Sequence, residues 1–230
     1  MKNKTPQEQE LCESITKLLQ IMAKLRAPDG CPWDKEQNHS SIAQHAVEEA
    51  YELIDAVETG DDDLIIEELG DLLLQVIFHS QLALERNAFN FQTVVNKLTE
   101  KLIRRHPHVF GSSNIKTSEA VLGQWEKIKK AEKLGTKHQR YSVFDGIPKH
   151  LPSLMKAEKL IKKAHKIGII SEKLNNKQNT SEVEFADRLF ELIESMIVSG
   201  LSPEKVLRQK VKTLEKQFRQ KESNLKKHQK

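Results

Sequence analysis

Five carboxylates have the types and spacing to work together. Glu48, Glu49 and Glu52 stand at i, i+1 and i+4, and Glu68 and Asp71 at i and i+3. Residues three and four apart share a face of an α-helix. Two helices joined by the short turn "TGDDD" run antiparallel, so acids from both can converge on one point. An all-oxygen donor set suits Mg²⁺ or Mn²⁺ better than zinc. Five carboxylates exceed what one Mg²⁺ ordinarily takes from protein. Two or more ions, with phosphate oxygens completing their shells, fit the set better. For the first three acids an ordinary solvent face is the competing reading, because Val47, Ala50, Ile54 and Val57 form a separate apolar face.

The surroundings of Glu68 and Asp71 argue further. Leu64, Ile65, Ile66, Leu69, Leu72, Leu73, Leu74, Val76, Ile77 and Phe78 cover nearly every side of their helix. A helix apolar all round is expected to be buried. Glu68, Asp71, Gln75 and His79 follow spacings of three, four and four, which draws one narrow polar stripe along it. Unpaired carboxylates are costly to bury. No basic residue occurs nearby in the chain, so a divalent cation is the economical counter-charge.

A second cluster is cationic: Lys101, Arg104 and Arg105, with His106 and His108 following. Arginine pairs bidentately with phosphate. A cationic helix end complementing its dipole is the alternative, and a carboxylate–metal site in the same domain tips the reading toward phosphate. Trp33 and Trp125, the only two tryptophans, lie in polar contexts, "CPWDKEQ" and "QWEKIKK". Core packing and stacking on a base both remain open for them. The loop "RAPDGCPWDKEQNH" is unusual, without a mechanism that its residues dictate. His39, His45 and His79 are candidate ligands or plain structural histidines. No Gly-rich phosphate loop is present.

Composition sets the frame for these groups. The chain has 230 residues, with 37 Lys+Arg against 33 Asp+Glu, 9 Gly and 7 Pro. That length allows one large domain or two small ones. The profile is that of a helix-rich globular protein rather than a disordered, collagen-like or many-stranded one. Cys12 and Cys31 cannot build a disulfide framework or a four-ligand zinc site alone. No run is apolar enough to span a bilayer, and "MKNKTPQEQE" lacks a signal region, so the cytoplasm is the expected location. Eleven acids and no Lys or Arg occupy residues 48–71, whereas residues 203–230 hold ten Lys/Arg and three acids. That basic tail reads as a solvated helix end rather than as a nucleic-acid surface.

Apolar spacing predicts helices over about 6–25, 41–59, 62–86, 91–105 and 118–134, then 152–166, 182–198 and 203–226. No segment alternates as a strand does, so the expected class is all-α. Residues 136–151, with Gly, Pro and no period, read as a linker. The second half weakly echoes the first. Glu68-Leu-Gly-Asp71 matches Glu184-Phe-Ala-Asp187, and Lys101 to Arg105 matches Lys216 to Gln220, at offsets of 116 and 115 residues. The shared order suggests an internal duplication.

The stretches Glu48-Glu49-Ala-Tyr-Glu52 and Glu67-Glu68-Leu-Gly-Asp71-Leu-Leu-Leu-Gln resemble the metal motif of MazG-type nucleoside triphosphate pyrophosphohydrolases. "LRAPDGCPWDKEQNH", "KLIRRHPHVFG" and "WEKIKKAEK" resemble that family's flanking segments, in order, over about residues 10–135. The resemblance implies an all-α fold whose helices pair across a homodimer, or a higher homo-oligomer, into four-helix bundles. It implies Mg²⁺-dependent cleavage, with Mn²⁺ as an alternative ion, of nucleoside triphosphates to monophosphate and pyrophosphate, in clearing unwanted nucleotides. It implies that Glu48, Glu49, Glu52, Glu68 and Asp71 hold metal. Substrate contact would fall to Lys101, Arg104, Arg105, Trp125, Lys129 and Trp33.

The domains expected are 1–135 as the catalytic domain, 136–151 as linker, and 152–230 as a degenerate second repeat. That repeat keeps Glu184 and Asp187, but "GIISEKLNNKQNTSEVEF" stands where a Glu-Glu-x-x-Glu should precede them, and Gln220 replaces the second arginine. Glu49 or Glu52 is the expected base that activates water. The rivals are a dUTP or phosphoribosyl-ATP pyrophosphohydrolase of the same superfamily, and an inactive helical scaffold binding nucleotide, RNA or a protein partner.

Overall fold

The computed structural model describes residues 5–170 and 181–228. Ten helices run along them, and no strand occurs among these residues. The chain divides into two compact units, Met1–Thr117 and Ser118–Lys230.

The first unit holds α1 (Pro6–Leu25), α2 (Pro32–Glu36), α3 (His45–Thr59), α4 (Asp62–Glu85), α5 (Phe91–Arg105) and α6 (Pro107–Phe110). Local chemistry sets the starts. Thr5 and Glu8 form a reciprocal capping box ahead of Pro6, satisfying donors that the first helical turn leaves free. Asp61 caps α4 by accepting from the Asp63 amide, and Asp62 and Asp63 place negative charge at the positive end of the helix. Asn90 caps α5 in the same manner. Gly60 ends α3 in the left-handed conformation at φ 71°, which only glycine adopts without penalty. One further residue, Asp61, already caps α4, so α3 and α4 fold into a tight antiparallel hairpin.

The core of this unit lies at one end of α4. Ile77, Phe78 and Leu82 pack with Met22 of α1 and with Ile42, and Leu19 and Phe91 lie against them. The expectation of an α4 buried throughout needs correcting. From Gln75 onward one side of it is buried, through Gln75, Ile77, Phe78, Ser80, Leu82 and Ala83, but within the chain Ile66 is 67% and Leu69 52% exposed. The reason is geometric: the α4 residues packed into the core with α1 are Ile77, Phe78 and Leu82 of its second half, and most apolar residues of its first half stay exposed among the described residues. Val47, Tyr51, Ile54 and Val57 of α3 are exposed in the same way.

The second unit holds α7 (Ser118–Ala131), α8 (Ser153–Lys166), α9 (Glu182–Val198) and α10 (Pro203–His228). Its core is Phe144, Leu160, Ala164, Val211 and Phe218. Residues 136–151 are irregular in backbone and anchored by side chains. Phe144 is fully buried, and its loop is tied down from α10. Glu222 accepts from Ser142 Oγ at 2.5 Å and from the Val143 amide at 3.2 Å. Lys226 donates to the Tyr141 carbonyl, and Arg219 pairs with Asp145 at 2.7 Å. An irregular backbone shows no period, so one aromatic anchor inside it leaves no pattern to read.

Phe144→Ala should cost about 3–5 kcal/mol, and urea unfolding read by circular dichroism will check it. A cost below about 1 kcal/mol would show that this loop does not hold the second unit together.

Candidate metal and nucleotide site

The α3–α4 hairpin sets the site by register. Glu49 and Asp71 each lie eleven residues from Gly60, and Glu52 and Glu68 each lie eight. Both helices rise by about 1.5 Å per residue, so Glu49 stands level with Asp71, and Glu52 with Glu68. The side chains meet accordingly. Glu49, Glu68 and Asp71 each offer a carboxylate oxygen, and these atoms lie within 4.8 Å of one another. Glu52 acts on both Glu49 and Glu68 from beside them.

The electrostatics are those of acids without a counter-ion. Partial burial raises the Glu49 carboxyl above the ordinary range, followed by its hydrogen bond to Glu52 and repulsion from Asp71, Glu52 and Glu68. Glu68 is raised by partial burial and by repulsion from Glu52, Asp71 and Glu67. Its Oε2 is buried without a hydrogen-bond partner. Hard, closely set carboxylate oxygens with one orphaned atom fit a divalent cation. Such an ion would neutralise the repulsion that raises these groups.

Glu48 does not join the cluster. It faces away, and His45 Nδ1 lies 3.0 Å from its Oε2. One residue is about 100° of helix, and in this register it is Glu49 whose oxygen meets those of Glu68 and Asp71. Lys101, Arg104 and Arg105 occupy the last two turns of α5, which packs on α4. Trp33 is 54% exposed on α2, with its ring 6.4 Å from that of His45. Trp125 and Lys129 belong to α7 in the second unit, where the Lys129 ammonium sits 4.7 Å from the Trp125 ring.

The sequence reading missed the clamp on the loop that carries Trp33. Arg26, its side chain only 7% exposed, makes a two-pronged ion pair with Glu85 at 2.7 and 2.8 Å. It also donates to the Asp34 and Gln37 carbonyls and lies over the Phe78 ring. Arg26 holds the Glu85 carboxyl below its usual range. The partners are 59 residues apart, so no local pattern announces them. A second tie joins the same loop to α4. His39 and His79 stack with ring planes 8° apart and Nδ1 atoms 2.8 Å apart. Burial, then the neighbouring His39, pushes the His79 imidazole down.

The second unit's counterparts serve structure. Glu184, matching Glu68, closes a capping box with Ser181 at the start of α9. Arg219, matching Arg104, is held by Asp145 and Glu215 against the Phe144 ring. Residues 171–180, part of the polar stretch in place of a Glu-Glu-x-x-Glu, lie outside the described residues.

Known proteins resemble this sequence. Residues 37–110, which span the whole hairpin, match the MazG nucleotide pyrophosphohydrolase domain. The nucleoside triphosphate pyrophosphohydrolase/pyrophosphatase MazG of Thermotoga maritima is 38% identical over 226 residues, covering 91% of this chain and 86% of that protein. The nucleoside triphosphate pyrophosphohydrolase of Escherichia coli K12 is 45% identical over 155 residues, and the match spans 58% of its length. The uncharacterized protein YabN of Bacillus subtilis is 44% identical over 156 residues, which is 31% of its length. With its carboxylates set on the matched hairpin and a likeness to the Thermotoga protein along nearly the whole of both chains, the chain belongs to the MazG family of nucleoside triphosphate pyrophosphohydrolases.

Proposed function

We infer that the protein hydrolyses nucleoside triphosphates to the monophosphate and pyrophosphate, as a nucleotide-pool housekeeping enzyme, from the carboxylate cluster of its first unit. The observation that carries this reading is the meeting of Glu49, Glu68 and Asp71 across the α3–α4 hairpin, within the matched family domain. Glu49, Glu68 and Asp71 would hold the divalent ion, Mg²⁺ or Mn²⁺, with Glu52 adjoining and Glu48 at the margin. When bound, the ion supplies charge neutralisation at the phosphates and at the departing pyrophosphate.

The chain's own groups do the rest. A water oxygen attacks the α-phosphorus, and the bond from that phosphorus to the α–β bridging oxygen breaks. Glu52 or Glu49 takes the proton that the water loses. Lys101, Arg104 and Arg105 grip the outer phosphates. Trp33 offers a face for a base. A second copy of the chain covers the exposed apolar residues of α3 and the first half of α4, giving a homodimer built on a four-helix bundle. No described helix is long and apolar enough to cross a membrane.

With Mg²⁺ or Mn²⁺ present, the wild-type chain should release pyrophosphate rather than single phosphate. Glu68→Gln should lower kcat/KM by about 10²-fold or more. No turnover of any nucleoside triphosphate by the wild type would leave the scaffold reading in its place.

The pH dependence has a definite sign. The ordinary glutamate value is 4.5, and both Glu49 and Glu68 are raised above it in the folded chain. Between 4.5 and the raised values the folded state binds more protons than the unfolded state. Metal-free stability therefore falls as pH rises through that window. Bound metal opposes this, because it competes with those protons. The rise in Tm on adding Mn²⁺ should thus be larger at about pH 7.5 than at about pH 5. Equal shifts at both pH values would exclude these two carboxylates as ligands.

A further inference from the structure

Trp33 is an exposed ring, and its own helix does little to hold it. α2 is five residues long, lacks a side-chain cap at its start and buries none of its residues. A helix this short does not persist by its own hydrogen bonds. Its place is set from outside, by Arg26. A guanidinium has five donors, and this one uses four. Nε and Nη2 grip the two oxygens of Glu85. Nη1 donates to the Asp34 carbonyl and, at 3.3 Å, to the carbonyl of Gln37, the C-cap of α2. These two carbonyls follow Trp33 directly and close its helix.

The clamp stands on the core. The Arg26 guanidinium lies 5.4 Å from the centre of the Phe78 ring, a member of the first hydrophobic core. The chain between Arg26 and Trp33 folds back tightly on the end of α1. The Cys31 amide donates to the Leu25 carbonyl at 2.7 Å, and a Cβ on Gly30 would fall 2.2 Å from that same oxygen. On its open side the Trp33 ring centre is 6.4 Å from that of His45. His45 begins α3, one turn and about 6 Å of rise before Glu49. Those two steps place the ring within a nucleotide's reach of the carboxylates.

We propose that Arg26, braced by Glu85, is a positioning residue that sets Trp33 to stack on the base of a nucleoside triphosphate. The proposal rests on the reading of Trp33 as the base contact. A buried ion pair adds little net stability, because losing water from both charges offsets their attraction. What the pair does supply is direction: the rigid fork fixes both partners and leaves two donors aimed at the α2 carbonyls. An exposed tryptophan on a single turn of helix gains no orientation from packing, so a fork anchored in the core supplies it. Lysine cannot take this place, since one ammonium does not grip both Glu85 oxygens and reach two carbonyls in a fixed plane.

The test measures binding, so that it stands apart from turnover. The full-length chain with Mg²⁺ is titrated by calorimetry with an α,β-methylene nucleoside triphosphate, and separately with inorganic tripolyphosphate, which has the phosphates and lacks the base. Trp33→Ala should weaken nucleotide binding at least about 5-fold, the scale of one lost base–aromatic stack. Arg26→Gln and Arg26→Lys should match that loss and leave tripolyphosphate binding within about 2-fold of wild type. Gly30→Ala, which displaces the same loop without touching the guanidinium, should act like them and serves if the Arg26 variants do not fold. In the Trp33→Ala background Arg26→Gln should add nothing further, because both changes remove one contact. In turnover the loss should fall on KM rather than kcat. Unchanged nucleotide binding in Trp33→Ala, or in Arg26→Gln and Gly30→Ala, would overturn the proposal. So would equal losses for both ligands, or a full additional loss in the double variant, since either marks a clamp that only supports the fold. A wild type that binds no nucleotide would overturn it as well, whereas binding without turnover strikes the hydrolytic reading and leaves this one standing.

Discussion

The repulsion among Glu49, Glu52, Glu68 and Asp71 is the interaction around which the first unit is organised. Carboxylates left to themselves separate. Here they are brought level because a left-handed glycine and a one-residue junction fix the register of two helices. The capping acids at the head of α4 and the packing of its far end against α1 hold that register in place. What the hairpin gains from apolar contact it partly gives back in charge, and the deficit makes the place receptive to a cation. Site and fold are therefore one device: the turn that closes the hairpin also fixes the distance between the carboxylates.

Chain economy explains the division of labour along α4. Its second half is a core element, and its first half is a platform whose apolar sides the chain itself leaves open. The acids sit on the platform rather than in the core, where two helices meet and water is partly excluded. The second unit shows the same helical vocabulary put to other use. Glu184 closes a cap and Arg219 braces an aromatic ring, so neither is free for ligand chemistry.

Much of this was legible in the sequence, for a physical reason. Helical period is a local property, and the eight long helices follow the spacing of their apolar residues to within a few positions. The short helices at Pro32 and Pro107 escaped because four or five residues carry no period. The acids of α3 and α4 were readable because helical neighbours lie three or four residues apart. Their partition was not. Glu48 and Glu49 look equivalent in the chain, and only the direction of the hairpin sends one outward to His45. The Arg26–Glu85 clamp and the His39–His79 stack join residues far apart in the chain, and periodicity carries no information about such pairs. Composition around α4 overstated its burial, because an apolar helix tells how much surface must be covered and not by which chain.

The anchoring of Phe144 bears on where the chain can be divided. A break at the start of α8, where regular structure resumes, would remove the ring at the centre of the second core. It would also strip Glu222, Lys163 and Lys226 of the backbone groups they hold. The stretch that most resembles a tether is thus among the least expendable parts of its unit. A fragment meant to isolate that unit has to begin ahead of α7, at the junction after Thr117, and carry the irregular loop with it.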